Sequence, residues 1–195
     1  PHLLGRYPRV GTVAAGLEVV QRLQVGDRIL RVRAGEGPPP VPIPVWYGTL
    51  TTERLEEAFA EFRQHRQEYQ PREEWLSWLR KAKLRYELVV AMGTWCSDSR
   101  EQIPRLLKIH QVLGPASPFS AITLLGMDRS KRVVPAASFP FGPVEKVPTV
   151  VVTFGGAEVG RIVETPLAPT LEEDLVRILA PMEGWELPEE GVVAP

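Results

Sequence analysis

The sequence is poor in the groups that most often announce a function. It has one cysteine, Cys96, in 195 residues. No internal disulfide can form, and both reducing and oxidising compartments tolerate a single thiol. The three histidines, His2, His65 and His110, are scattered. With one cysteine they make no metal-ligand spacing, so no metal and no cofactor is expected and the histidines read as solvated surface residues. No apolar run approaches the ~18 residues of a membrane-spanning helix. Neither sign of charge dominates: 23 Lys+Arg against 24 Asp+Glu leave a net charge of -1. That gives no global field for nucleic acid or an anionic membrane. The opening stretch "PHLLGRYPRV" lacks the long apolar segment of a secretory leader, which slightly favours the cytoplasm. A signal segment removed ahead of position 1 would instead allow an extracytoplasmic place.

What is there describes a soluble globular chain. Hydrophobic residues make up 44% and charged residues 24%, enough for one buried core and an appendage. Residues 1–48 read as a small β-rich, proline-rich extension. Within it "DRILRVR" alternates apolar with charged residues, and the prolines of "AGEGPPPVPIP" forbid both a helix and a central strand. Such an extension is a place for protein partners to bind. The main domain spans 49–180, and the tail 181–195 lacks any period and reads as flexible or draped.

Within the main domain, 51–83 is a helical lead-in. Leu55, Phe59, Phe62 and Tyr69 share one helical face, and Trp75, Leu76, Leu79 and Ala82 repeat the pattern after Pro71, with Trp78 widening the face. The core, 85–180, opens with "YELVVAM", whose continuous apolar run predicts a strand buried on both faces. A helix follows Cys96, carrying Ile103, Leu106, Leu107 and either His110 or Leu113 inward. Then come the strand "AITLLGM", a long loop over about 128–147, and "TVVVTF" and "EVGRIVE" flanking Gly155-Gly156, which reads as a hairpin. The last helix, "PTLEEDLVRIL", starts with a capping box from Thr170 to Glu173 and turns Leu171, Leu175, Ile178 and Leu179 inward. Strand, helix, strand, loop, strand, strand, helix predicts a central mixed sheet with helices on both faces.

That order, with "TWCSDS" ending the first strand, resembles the thioredoxin family. Three marks carry the resemblance over residues 85–180. "WCSDS" stands where the family has Trp-Cys-x-x-Cys, Pro104 follows Cys96 by eight residues, and "KVPTVVV" places Pro148 eight residues before Gly156. More narrowly, "GTWCSDSREQIPRL", "MDRSK" and "VGRIVETP" look like a bacterial subgroup with Cys-x-Asp-Ser at the active-site position. The resemblance implies a thioredoxin-like three-layer α/β/α sandwich, thiol–disulfide chemistry at Cys96 and a cis Pro148. That proline would turn the Val147 backbone toward the thiol, where an extended substrate chain pairs with it. It implies that Trp95, Asp98, Val147, Pro148 and Thr149 line the substrate, with Glu164 bordering the groove. Two departures stand out: Ser99 occupies the place of the resolving cysteine, and Val90 that of a buried proton-relaying aspartate.

A cysteine at a helix N-terminus faces unpaired backbone N–H groups, which favour the thiolate. Asp98 opposes this. At ~6 Å and an effective dielectric of ~20 its repulsion is about 3 kcal/mol, against about 2 kcal/mol in favour from half a charge at ~4 Å. Arg100 is available to pair with Asp98, and Asp98 could equally cap the helix. With Ser99 unable to resolve a mixed disulfide on Cys96, an outside thiol must do so, as in monothiol glutaredoxins with their Cys-x-x-Ser.

Two function classes follow. One is a monothiol thiol–disulfide oxidoreductase, with Cys96 and Ser99 at its centre and a protein or low-molecular-weight thiol as partner. The other is a non-catalytic thioredoxin-fold binding or structural subunit of a larger assembly, for which the unusual extension and acidic tail speak.

Overall fold

Strand β2 (Tyr86–Met92) is the centre about which the rest is arranged. Its side chains alternate between two apolar environments, as a strand covered on both faces requires. A computed structural model describes residues 43–131 and 139–188, and from Pro44 onward these belong to one unit. The strand expected within residues 1–42 lies outside the described residues.

Among the described residues, five strands form one mixed sheet in the order β1-β3-β2-β4-β5. β3 (Phe119–Gly126) runs parallel to β2 and is joined to it through a helix. β4 (Thr149–Phe154) and β5 (Ala157–Val163) form an antiparallel hairpin, and β4 pairs antiparallel with β2. Gly155 and Gly156 both have positive φ, which the tight turn demands and larger residues resist. The β4–β5 ladder shifts register between Val152 and Thr153. β1 (Gly48–Leu50) is a short edge strand antiparallel to β3 that no sequence pattern announced.

Five α-helices of the described residues accompany the sheet: α1 (Thr52–Ala58), α2 (Ala60–Glu68), α3 (Glu73–Arg80), α4 (Ser97–Leu113) and α5 (Leu171–Glu183). The lead-in differs from its expected form. Its first helical stretch breaks at Phe59, whose backbone is extended; its N–H closes α1 on the Leu55 carbonyl, and its own carbonyl receives the Phe62 N–H. The break lets Leu55 and Phe62 both be fully buried, while Tyr69 lies just beyond α2 and Ala82 beyond α3. In α4, Leu113 is buried and His110 only half so.

α5 also departs from expectation. The helix continues through Pro181 to Glu183 and ends at Gly184 in the left-handed conformation. The Glu183 carboxylate accepts from the Lys83 and Leu84 backbone N–H groups, at 2.9 and 3.0 Å, and from the Tyr86 hydroxyl. Trp185 then packs on Trp78, their rings 5.5 Å apart. The tail is therefore anchored as far as these residues by contacts with no local sequence signature. At the other end only half of the capping box forms. Thr170 Oγ1 accepts from Glu173 N–H, but the Glu173 carboxylate pairs with Arg177 instead of returning to the cap.

The side chains buried by all five helices join one apolar cluster, with Leu88, Val90 and Met92 of β2 and Val150 and Val152 of β4. The opposite face of the sheet carries Ala91, Leu125 and Val151. Among the described residues it is covered by the β3–β4 connection, through Phe139, Val147, Phe141 and Val144, together with Trp95 and Cys96. Helices on both faces were expected; the described residues place them on one. The β3–β4 connection, interrupted by prolines and glycine, covers the second face with aromatic side chains.

No described helix is long and apolar enough to cross a membrane. Both described histidines are half-buried and hydrogen-bonded, not solvated. His65 Nδ1 lies 2.8 Å from the Arg100 carbonyl and His110 Nδ1 2.8 Å from Ser117 Oγ. Burial lowers the pKa of His110.

Candidate functional site

Cys96 is the N-cap residue of α4. Its backbone is extended and its carbonyl accepts the Arg100 N–H, the first bond of the helix. Its side chain is half-buried. The sulfur lies 3.1 Å from the carbonyl oxygen of Val147, to which the thiol donates. The Val147-Pro148 bond is cis. Two segments more than fifty residues apart thus meet at the thiol, brought together by the pairing of β2 with β4.

The turn that presents the thiol is fixed residue by residue. Cys96 N–H closes it on the Gly93 carbonyl at 2.9 Å. Gly93 N–H donates to Ser99 Oγ at 3.2 Å, and Ser99 is fully buried. Ser99 therefore stands one helical turn inward from the thiol as a tie on the turn. Trp95 Nε1–H donates to the Met127 carbonyl at 3.0 Å, and the guanidinium of Arg129 lies 5.1 Å from its ring centroid. A Cβ at Gly93 would sit 2.6 Å from the indole, so the glycine is what lets Trp95 lie flat over the turn. Thr94 is 1% exposed; its hydroxyl donates to the Pro44 carbonyl at 2.6 Å and accepts the Trp46 N–H at 3.2 Å.

The Pro148 side of the site is equally tied. Thr149 is buried and its Oγ1 donates to the Lys146 carbonyl at 2.7 Å. Glu164 has φ of 61° and donates its N–H to the Pro148 carbonyl at 2.7 Å, while its carboxylate pairs with Lys146 at 2.6 Å. Arg161 of β5 donates to the Phe141 carbonyl at 3.0 Å, holding the aromatic part of the loop against the sheet edge.

The structure thus gathers Trp95, Cys96, Val147, Pro148 and Thr149, with Glu164 alongside. Asp98 is half-buried in the first turn of α4, where Ser97 Oγ approaches its carboxylate at 3.4 Å. The side chain of the N-cap residue, Cys96, makes no capping hydrogen bond, and the contact shown for the Asp98 carboxylate is with Ser97. Nor does Arg100 turn to Asp98. It pairs with Glu61 of α2, because α2 packs along α4 and offers a carboxylate on that side. Val147 is 4% exposed and its carbonyl is engaged with the thiol, so an incoming strand would have to share or displace that bond. Among the described residues no cluster of three or more His, Cys, Asp or Glu is arranged to hold a metal ion.

Gly93, Thr94 and Arg129 belong to this site; they lie within stretches that carry the resemblance, yet neither periodicity nor spacing gave them a role. The only hint is a polar threonine within an otherwise apolar turn.

No protein-family model and no curated protein matches the chain. Among solved structures, an HIV epitope-scaffold aligns over 71% of this chain and 94% of its own, with a TM-score of 0.51 and 19% identity. At that identity the likeness is one of fold. A protein of unknown function from Pseudomonas aeruginosa aligns over 69% of this chain and 87% of its own, with a TM-score of 0.43 and 23% identity.

Proposed function

We propose that the chain is a thioredoxin-like monothiol protein that forms mixed disulfides through Cys96 and relies on an external thiol to resolve them. The observation that carries this reading is the meeting of Cys96, at the head of α4, with the Val147-Pro148 loop, 3.1 Å from sulfur to carbonyl oxygen. A buried structural cysteine has no need of a helix N-terminus or of half-exposure.

The chemistry balances with one protein thiol. The Cys96 thiolate attacks one sulfur of a disulfide; a new S–S bond forms and the other sulfur leaves as a thiolate, which takes up the proton that Cys96 released. A second thiolate from outside then attacks the mixed disulfide and returns Cys96 to its reduced form. Ser99 cannot perform that second step, since an alcohol is no substitute for a thiolate and its oxygen is engaged with Gly93 N–H. The wild type is therefore a slow reductant of insulin disulfides with dithiothreitol, and Ser99→Cys raises the rate. A wild-type rate equal to that of a dithiol thioredoxin would contradict the monothiol reading.

The competing reading, a non-catalytic binding or structural subunit, draws on the thiol's engagement with Val147 and its packing against the buried cluster on that face of the sheet. Labelling decides between them. In the folded protein Cys96 should react with iodoacetamide at neutral pH at least as fast as a free cysteine. A thiol labelled only in denaturant would leave the second reading in place.

A further inference from the structure

The turn Gly93–Cys96 is held at three points. Gly93 is bound by Ser99, Trp95 by the Met127 carbonyl, and Thr94 by the chain segment Pro44–Trp46. The first two ties come from neighbours on α4 and at the end of β3. The third reaches 48 to 50 residues back in the sequence, to the stretch that leads into β1. One hydroxyl serves both ends of that stretch, donating to the Pro44 carbonyl and accepting the Trp46 N–H. A hydroxyl can do both at once and a methyl can do neither. Gly126 allows the arrangement from the other side, for a Cβ there would lie 2.5 Å from the Trp46 carbonyl oxygen.

We infer that Thr94 is a positioning residue for Cys96 and that the segment Pro44–Trp46 is its anchor, so that the reactivity of the thiol is set by whether this segment is seated. The inference rests on the reading of Cys96 as the reacting thiol. The seated turn holds the sulfur 3.1 Å from the Val147 carbonyl oxygen, where the thiol is engaged as a hydrogen-bond donor. It also keeps the thiol packed against the buried cluster of Ala91, Leu125, Met127, Phe139, Val147 and Val151. Releasing the turn weakens that bond and opens the sulfur to solvent.

The test is the rate of alkylation of the native full chain by iodoacetamide, measured well below each variant's denaturation midpoint. Thr94→Val removes the hydroxyl, and with it both hydrogen bonds, at nearly constant volume and raises the rate at least about twofold to tenfold, the range of a single lost hydrogen bond. Thr94→Ser, which keeps donor and acceptor, restores the rate to within about twofold of wild type, again on the scale of a fraction of one hydrogen bond. Gly126→Ala pushes Trp46 away without touching Thr94 and raises the rate in the same direction; should Thr94→Val not fold, this variant decides. Unchanged rates in Thr94→Val and Gly126→Ala, with a reactive wild-type thiol, overturn the inference and leave the thiol reading intact. A wild-type thiol that labels only after denaturation overturns both.

Discussion

The two faces of the sheet are built from different materials. One is covered by five helices whose Leu, Ile, Phe and Trp side chains form a continuous core. The other is covered, among the described residues, by a loop whose Phe139, Phe141, Val144 and Val147 rest on three small or branched strand residues, with Trp95 and Cys96 at the margin. The helical face also contains carboxylates tied across long sequence distances. Glu172 is fully buried and accepts from the Tyr69 hydroxyl at 2.6 Å and the Arg72 N–H at 2.7 Å. Asp174 makes more local ties, accepting from the Leu167 and Ala168 N–H groups. The thiol thus lies on the side that the β3–β4 connection covers, away from the helical core. Stability and reactivity should be separable by substitution, face by face.

The sharpest way to break that division is a deep deletion under the helices. Leu106 is fully buried in α4, and Leu106→Ala should cost about 3 kcal/mol, read as a lower urea midpoint at constant slope. The alkylation rate of Cys96 under native conditions should not change. A several-fold rise would mean that the two faces are one cooperative unit as far as the thiol is concerned.

Next in size is Glu172→Ala. It strands a tyrosine hydroxyl and a backbone N–H in an apolar setting, each a cost of roughly 1–3 kcal/mol if water cannot replace the partner. The same cluster sets an alkaline limit. Burial, then the hydrogen bond and charge of Glu172, push the Tyr69 pKa well above its usual 10. The unfolded chain releases that proton first, so the contribution is full below about pH 10 and is lost progressively above it. Tyr69→Phe should flatten the alkaline fall in stability, and a curve as steep as wild type would remove Tyr69 as its source.

The loop-covered face should behave in the opposite way. Phe141 is only partly buried, so Phe141→Ala should cost about 1 kcal/mol, near the low end for losing an aromatic contact. Its effect on the thiol should be the larger one, with faster alkylation than in Leu106→Ala. Smallest of all is the acid effect of His110. Burial lowers its pKa, so its neutral form belongs to the folded state. Its contribution is complete above the ordinary value near 6.5 and declines as pH falls below that. His110→Gln, which keeps a polar group near Ser117, should reduce the slope of stability against pH between about 6.5 and 5. An unchanged slope there would locate acid sensitivity elsewhere.

The sequence made the hairpin legible because it rests on short-range chemistry: Gly155-Gly156 between two apolar stretches can do little but turn. The thiol's neighbourhood, which joins residues 51 apart, was legible only through the family resemblance that set Pro148 beside Cys96. What stayed hidden depends on partners far along the chain. β1 is three residues long, too short for any period to show. Arg100 chose Glu61 over Asp98 because helix packing, not sequence proximity, decides which carboxylate it meets. The helix past Pro181 is held by Glu183 reaching back to residues 83 to 86. The one-sided helical layer follows from a connection that a strand–helix alternation cannot foretell.

The margins of the sheet bear on how the molecule lives at high concentration. Any sheet that stops presents a row of unpaired amides and carbonyls to solvent, an invitation for another chain to continue the ladder. Here one margin, β1, is only three residues long. The other, β5, carries the Glu158–Arg161 ion pair, and the register slip opposite Val152 and Thr153 interrupts its regularity. A stub on one side and a charged, irregular strand on the other give a neighbouring copy little to template on, so growth into fibrils by lateral strand pairing is discouraged in the native state.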